Sequence, residues 1–126
     1  MELADLDVLI VDDHEAMRAM LLRVFSKVGV TRLRALASAS EALISLRAQP
    51  ATLILADKNM PGMDGLAFLA AVRGERAFGA PKIIMLSGDT SPKHEETARA
   101  AGADAVLVKP VPPSALLAAI NQLFAV

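Results

Sequence analysis

Cysteine, tryptophan and tyrosine are absent from the 126 residues, and four phenylalanines are the whole aromatic content. Without cysteine there is no disulfide and no thiolate metal site. Basic runs are missing too: 13 Lys and Arg face 14 Asp and Glu, for a net charge of −1, which argues against direct nucleic-acid binding. No uninterrupted apolar stretch approaches the length of a membrane span, so membrane insertion is not expected. Met1–Leu6 carries two acids and no base, does not read as an export signal, and leaves a cytoplasmic location as the expectation. No Gly-rich phosphate loop is present, so direct use of ATP is not expected. What is present is apolar bulk: 54% hydrophobic against 21% charged residues can support a core, and the length suits one domain over residues 1–126.

Strand-like and helix-like segments alternate along the chain. Val8–Val11, Leu53–Ala56, Ile83–Leu86 and Ala105–Val108 are short apolar runs, as expected of strands covered on both faces; Leu33–Leu36 is a weaker one. Between them the pattern predicts helices over about Ala16–Val28, from a Ser38–Glu41 capping box to Ala48, over Leu66–Arg73, and over Pro92–Ala101, with a last helix capped by Ser114. Gly29, Pro50, Gly74, Gly79 and Gly102 punctuate these elements, and Met60–Gly65 reads as a loop. Five βα units imply a doubly wound α/β fold with a parallel sheet. At this length the flavodoxin-like strand order 2-1-3-4-5 is the natural choice.

That order sets strands 1, 3, 4 and 5 side by side, and each stops at a reactive residue: Asp12-Asp13, Asp57, Ser87 and Lys109. In open α/β sheets, ligands bind beyond the carboxyl ends of the strands where the order reverses. Adjacent carboxylates repel unless a cation holds them, and Mg²⁺ takes hard oxygen ligands. On strand alternation the Asp12 and Asp13 side chains are expected to diverge, one ligating directly and one through water. Asp57 would add an oxygen to the metal and attack phosphorus with its other oxygen, giving an aspartyl phosphate. Lys109 would neutralise the phosphoryl oxygens, Ser87 would donate to one of them, and the Asn59 carbonyl would complete the metal shell.

The residues Val11-Asp12-Asp13, Met17-Arg18, Asp57, Asn59-Met60-Pro61, Met63-Asp64-Gly65, Ser87-Gly88, Ala101-Gly102-Ala103 and Lys109-Pro110 run from end to end of the chain. Together they resemble the CheY-like receiver domains of two-component response regulators. The resemblance implies Asp57 as phosphoacceptor, Asp12 and Asp13 as the acidic metal pocket, Ser87 as the switch hydroxyl, Lys109 as a phosphoryl contact, and a cis Lys109–Pro110 bond. It also implies a histidine kinase or histidine phosphotransfer protein as phosphodonor. Output would pass by protein contact to an unidentified target through the helix 4–strand 5–helix 5 face, as in chemotaxis or motility regulators. Such a module catalyses its own phosphorylation and dephosphorylation and turns over no external substrate, so it is not expected to act as an enzyme. An aspartate-nucleophile phosphatase of the haloacid-dehalogenase type would usually carry an acid where Asn59 stands.

Some positions depart from the family pattern. Receivers commonly carry an aromatic residue where this chain has Val106; either signalling runs through the Ser87 loop and the fourth helix, or Val106 is a plain core residue. Polar Asn59 and Asp89 flank the site, which favours a short-lived phosphoryl group. His14, beside the acid pair, reads as a half-exposed helix-start residue, the alternative being that it tunes the metal pocket or meets a phosphodonor; His94 reads as a solvated one. The last helix is unusually apolar, with Leu116, Ile120, Leu123 and Phe124 toward the core and Leu117, Ala118 and Ala125 opposite, so an exposed apolar patch is expected there.

Overall fold

A strand buried on both faces has no polar side to alternate with, and the apolar runs of this chain find that environment at the centre of one sheet. The computed structural model describes residues 2–60, 62–89 and 91–124. The strands are β1 (Asp7–Val11), β2 (Arg32–Leu36), β3 (Leu53–Asp57), β4 (Lys82–Ser87) and β5 (Ala105–Val108). All pairings are parallel, in the expected order β2-β1-β3-β4-β5. Every residue of β1 and β3 is buried, whereas the edge strands β2 and β5 stay partly exposed.

The two-residue period of a strand divides the core into halves. Leu9, Val11, Ile54, Ala56, Ile83 and Met85 face one side, with Leu46, Phe68, Leu69 and Ala98 over them. Val8, Ile10, Leu53, Leu55, Ile84 and Leu86 face the other, with Leu21, Phe25, Leu116 and Ile120 over them. Helices α2 (Ala39–Ala48), α3 (Gly65–Arg73) and α4 (Pro92–Ala101) thus cover the first face, and α1 (Glu15–Lys27) and α5 (Pro113–Phe124) the second. Ser38 accepts from the Glu41 amide to cap α2, and Gly102 closes α4 at φ 119°, which favours glycine.

Several local expectations change. Ser114 lies inside α5, which begins at Pro113, because proline's fixed φ suits a first helical position. Short 3₁₀ turns at Leu3–Asp5 and Arg76–Phe78 have no strong sequence signal. His94 is buried, at 6% exposure: helix phase puts it one turn from core residue Ala98. The apolar back of α5 is smaller than expected, since Leu117 packs against the second core half; Ala125 lies outside the described residues. Among the described residues the exposed large hydrophobics are Ile44 and, on β5, Val108.

Gly65 fixes how closely α3 approaches the end of β3. A Cβ there would lie 2.6 Å from the Asp57 carbonyl oxygen and 2.7 Å from Lys58 Cα. Its amide donates to the Lys58 carbonyl at 2.7 Å, and Asp64 caps α3 by accepting from the Ala67 amide. At the opposite end of the sheet, buried Asp7 is held by Arg34 at 3.0 Å and Gln49 at 2.6 Å. Arg34 donates onward to the Ser45 hydroxyl and the Gln49 carbonyl.

Candidate phosphoryl and metal site

Hydrogen bonding continues past the strand ends, so the residues beyond them are held in register. The Lys58 amide donates to Leu86, the Lys109 amide to Ser87, and the Asp12 amide to Leu36, at 2.8–3.1 Å. The β1–α1 turn is tied by Arg18, whose guanidinium donates to the Asp12 carbonyl at 2.8 Å. The Lys109–Pro110 peptide is cis.

Asp12 and Asp57 are buried at 0% and 3% exposure. Lys109 bridges them, with Nζ 3.0 Å from Asp57 Oδ1 and 3.1 Å from Asp12 Oδ2. The remaining carboxylate oxygens turn the other way. Asp12, Asp13, His14 and Asp57 each offer one ligand atom, and all four atoms lie within 4.8 Å of one another. The expected divergence of Asp12 and Asp13 does not occur: β1 ends at Val11 and the chain bends, so strand alternation no longer applies. Asp13 Oδ1 and Asp57 Oδ2 are buried without a hydrogen-bond partner. Orphaned anionic oxygens converging on one point suit a divalent cation, and the donor set fits one.

Burial holds the Asp57 carboxyl above its usual value, aided by the Asp12 charge and opposed by Lys109 and the Asn59 amide. For Lys109 burial acts downward, but the contacts with Asp57 and Asp12 outweigh it and hold the ammonium above its usual value. The exposed Asp89 is lowered chiefly by hydrogen bonds from Ser91.

Ser87 ends β4, fully buried, next to β5. Its hydroxyl oxygen accepts from the Asp89 amide at 3.0 Å. Asp89 accepts in turn from the Ser91 amide, and Ser91, the N-cap of α4, from the His94 amide. Lys58 reaches Asp89 at 3.4 Å. Asn59 is exposed, two residues beyond Asp57. Val106 is partly buried against the first core half. Pro61 and Thr90 lie outside the described residues. The structure brings Asp12, Asp13, Asp57 and Lys109 together, with the Asn59 amide beside Asp57 and Ser87 buried at the end of the neighbouring strand β4. His14 is at the helix start, as N-cap of α1, and is also a member of the cluster, the less favoured of its two readings; the signal for it was its place beside two acids.

A family model described as "Response regulator receiver domain" matches residues 8–121. The sensory/regulatory protein RpfC of Xanthomonas campestris pv. campestris is 33% identical over 117 residues, which are 91% of this chain and 16% of that protein. The chain thus spans about one sixth of the length of that relative. The probable chemotaxis protein CheY of Rhizobium etli is 32% identical over 117 residues, 93% of this chain and 91% of its own. Among solved structures, the chemotaxis response regulator CheY4 of Vibrio cholerae superposes with a TM-score of 0.86 at 33% identity, covering 93% of this chain and 97% of its own. The CheX-CheY-BeF3-Mg²⁺ complex of Borrelia burgdorferi matches with a TM-score of 0.84 at 25% identity, covering 93% and 87%.

Proposed function

This chain belongs to the receiver domains of response regulators, the phosphorylation-activated modules of two-component signalling, and from that premise we propose that Asp57 is its phosphoacceptor. The observation that carries the assignment is the division of labour at Asp57. One carboxylate oxygen faces Lys109 at 3.0 Å, and the other is buried without a hydrogen bond among the acids. Oδ1 is the nucleophile. The P–N bond of a donor phosphohistidine breaks as the P–O bond to Asp57 forms, and the histidine keeps the electron pair. Lys109 meets the charge of the transferred group, and Ser87 offers it a hydroxyl proton.

Asp12, Asp13, Asp57 and the Asn59 carbonyl would hold Mg²⁺. When bound, Mg²⁺ neutralises carboxylate and phosphoryl charge together. The beryllofluoride and magnesium named in the Borrelia complex support this reading. The donor is a histidine kinase or a histidine phosphotransfer protein. An open apolar groove bordered by Met17, Met20, Pro110 and Val111 leads up to His14 and Lys109 and gives such a donor a face to approach. The chain acts in the cytoplasm, turns over no external substrate, and signals by protein contact through α4, β5 and α5, in the manner of a chemotaxis regulator. Among the described residues no helix is long and apolar enough to cross a membrane.

Intact-mass spectrometry after incubation with acetyl phosphate and Mg²⁺ tests the assignment. Wild type is expected to gain one phosphoryl group and Asp57→Asn none. Absence of the adduct, together with a silent beryllofluoride titration, would leave a phosphate-independent binding module as the better reading.

A further inference from the structure

His14 is the N-cap of α1, yet its side chain makes no capping bond to the helix. The backbone instead holds it over the acids, because its amide donates to Asp12 Oδ1 at 2.9 Å. From there Nδ1 lies 3.1 Å from Asp12 Oδ1, 3.2 Å from Asp13 Oδ1 and 3.9 Å from Asp57 Oδ2. A single imidazole proton at Nδ1 serves only one of these oxygens. Of the other two, Asp57 Oδ2 belongs to a side chain only 4% exposed and has no hydrogen-bond partner. One cation at the centre would serve all four atoms. The spacing agrees: neighbouring ligands about 2.1 Å from an octahedral metal stand about 3.0 Å apart, and opposite ones about 4.2 Å. The 3.1, 3.2 and 3.9 Å separations fall in that range.

We propose that His14 is a direct metal ligand through Nδ1, making this a mixed imidazole–carboxylate site that takes an imidazole-favouring first-row cation such as Zn²⁺ as well as Mg²⁺. The inference rests on the acids forming the metal pocket of the receiver. Imidazole favours Zn²⁺ and its late first-row neighbours, while Mg²⁺ keeps to oxygen. With Nδ1 on the metal, Nε2 carries the proton, and the side chain is 66% exposed, so ligation needs no buried partner behind it.

The test uses tag-free protein, which holds only two histidines. Zn²⁺ and Mg²⁺ are titrated by calorimetry into wild type and His14→Asn; Asn is a favoured N-cap, so α1 is kept. Ring ¹⁵N spectra of wild type are followed in parallel. Zn²⁺ affinity is expected to fall about tenfold or more in the variant while Mg²⁺ affinity changes by less than about threefold. The His14 Nδ1 resonance should move with Zn²⁺, and that of buried His94 should not. An unmoved Nδ1, or equal changes for the two metals, overturns the ligand assignment; if wild type still binds Mg²⁺, the receiver reading survives it. Failure of wild type to bind either metal would remove both.

Discussion

Lys109→Met isolates the electrostatic tension in the site. Lys109 is the cation hydrogen-bonded between two buried carboxylates, 3.0 Å from one and 3.1 Å from the other. Removing one partner of a buried pair costs about 3–5 kcal/mol, and because the lysine side chain is 23% exposed we discount this to about 2–3 kcal/mol. For a domain of this size that is a fall of about 6–15 °C in Tm. Far-UV circular dichroism through a urea series measures it; without tryptophan or tyrosine, intrinsic emission is a poor probe. A divalent cation stabilises wild type and variant alike, so it narrows the gap only as far as the variant, whose two carboxylates no longer share the lysine, binds it more tightly: about 1.4 kcal/mol for each tenfold in Kd. The gap between variant and wild type is therefore expected in EDTA and should shrink in excess Mg²⁺. Its pH dependence has a definite sign. The lysine is held above 10.5, so its contribution is present below that pH and lost as pH rises through the raised value. On the acid side the gap closes as Asp57, itself raised by burial, takes a proton. A gap below about 0.5 kcal/mol in EDTA, or one that Mg²⁺ leaves unchanged, would refute the reasoning.

Asp57→Asn is expected to stabilise the metal-free protein at neutral pH, because ionising a carboxyl raised by burial costs folding energy; the advantage should vanish below 3.8, and a destabilised variant would contradict this. Gly65→Ala places a Cβ 2.6 Å from backbone that cannot swing aside. Overpacking of about 1–3 kcal/mol should exceed the helix-propensity gain of under about 1 kcal/mol, lowering the urea midpoint and slowing uptake of phosphate from acetyl phosphate. An unchanged midpoint would show that the β3–α3 contact is slack. Arg34→Leu leaves Asp7 buried without its cation and, discounted in the same way for an arginine 22% exposed, should cost about 2–3 kcal/mol, part of it recovered when Asp7→Asn is added. Strict additivity of the two changes would argue against the pairing.

The fold was legible because its central strands carry unbroken apolar runs, Val8–Val11, Leu53–Ala56 and Ile83–Leu86, that stop at residues that cannot be buried unpaired. Hydrophobic patterning alone therefore placed the reactive residues at one end of one sheet. What patterning does not carry is the direction of a side chain after a strand ends. Asp12 and Asp13 converge because the chain bends there, and His14 follows through a backbone bond to Asp12. Nor does it reveal a residue whose reason lies in a distant element. Gly65 is glycine because of Asp57 and Lys58, and Arg34 is placed by Asp7, 27 positions earlier. His94 reads as polar surface until the phase of α4, set from Pro92 and Ser91, turns it inward with Ala98.

That inward turn bears on how a signal leaves the site. The Ser87 hydroxyl is the first link of a chain of hydrogen bonds through Asp89 and Ser91 to the amide of His94. If the Ser87 side chain turns about Cα–Cβ to bring its one proton to an anion on Asp57, the hydrogen bond it accepts from Asp89 is disturbed. That rotation carries the oxygen away from the Asp89 amide unless the loop follows. If the loop follows, Asp89 pulls on the cap of α4 and on its salt bridge with Lys58. If it does not, a partly buried amide loses its acceptor, at a cost of about 1–3 kcal/mol. Either way the N-terminus of α4 feels the phosphoryl group without an aromatic side chain at Val106. Switching through the Ser87 loop therefore needs no ring at Val106.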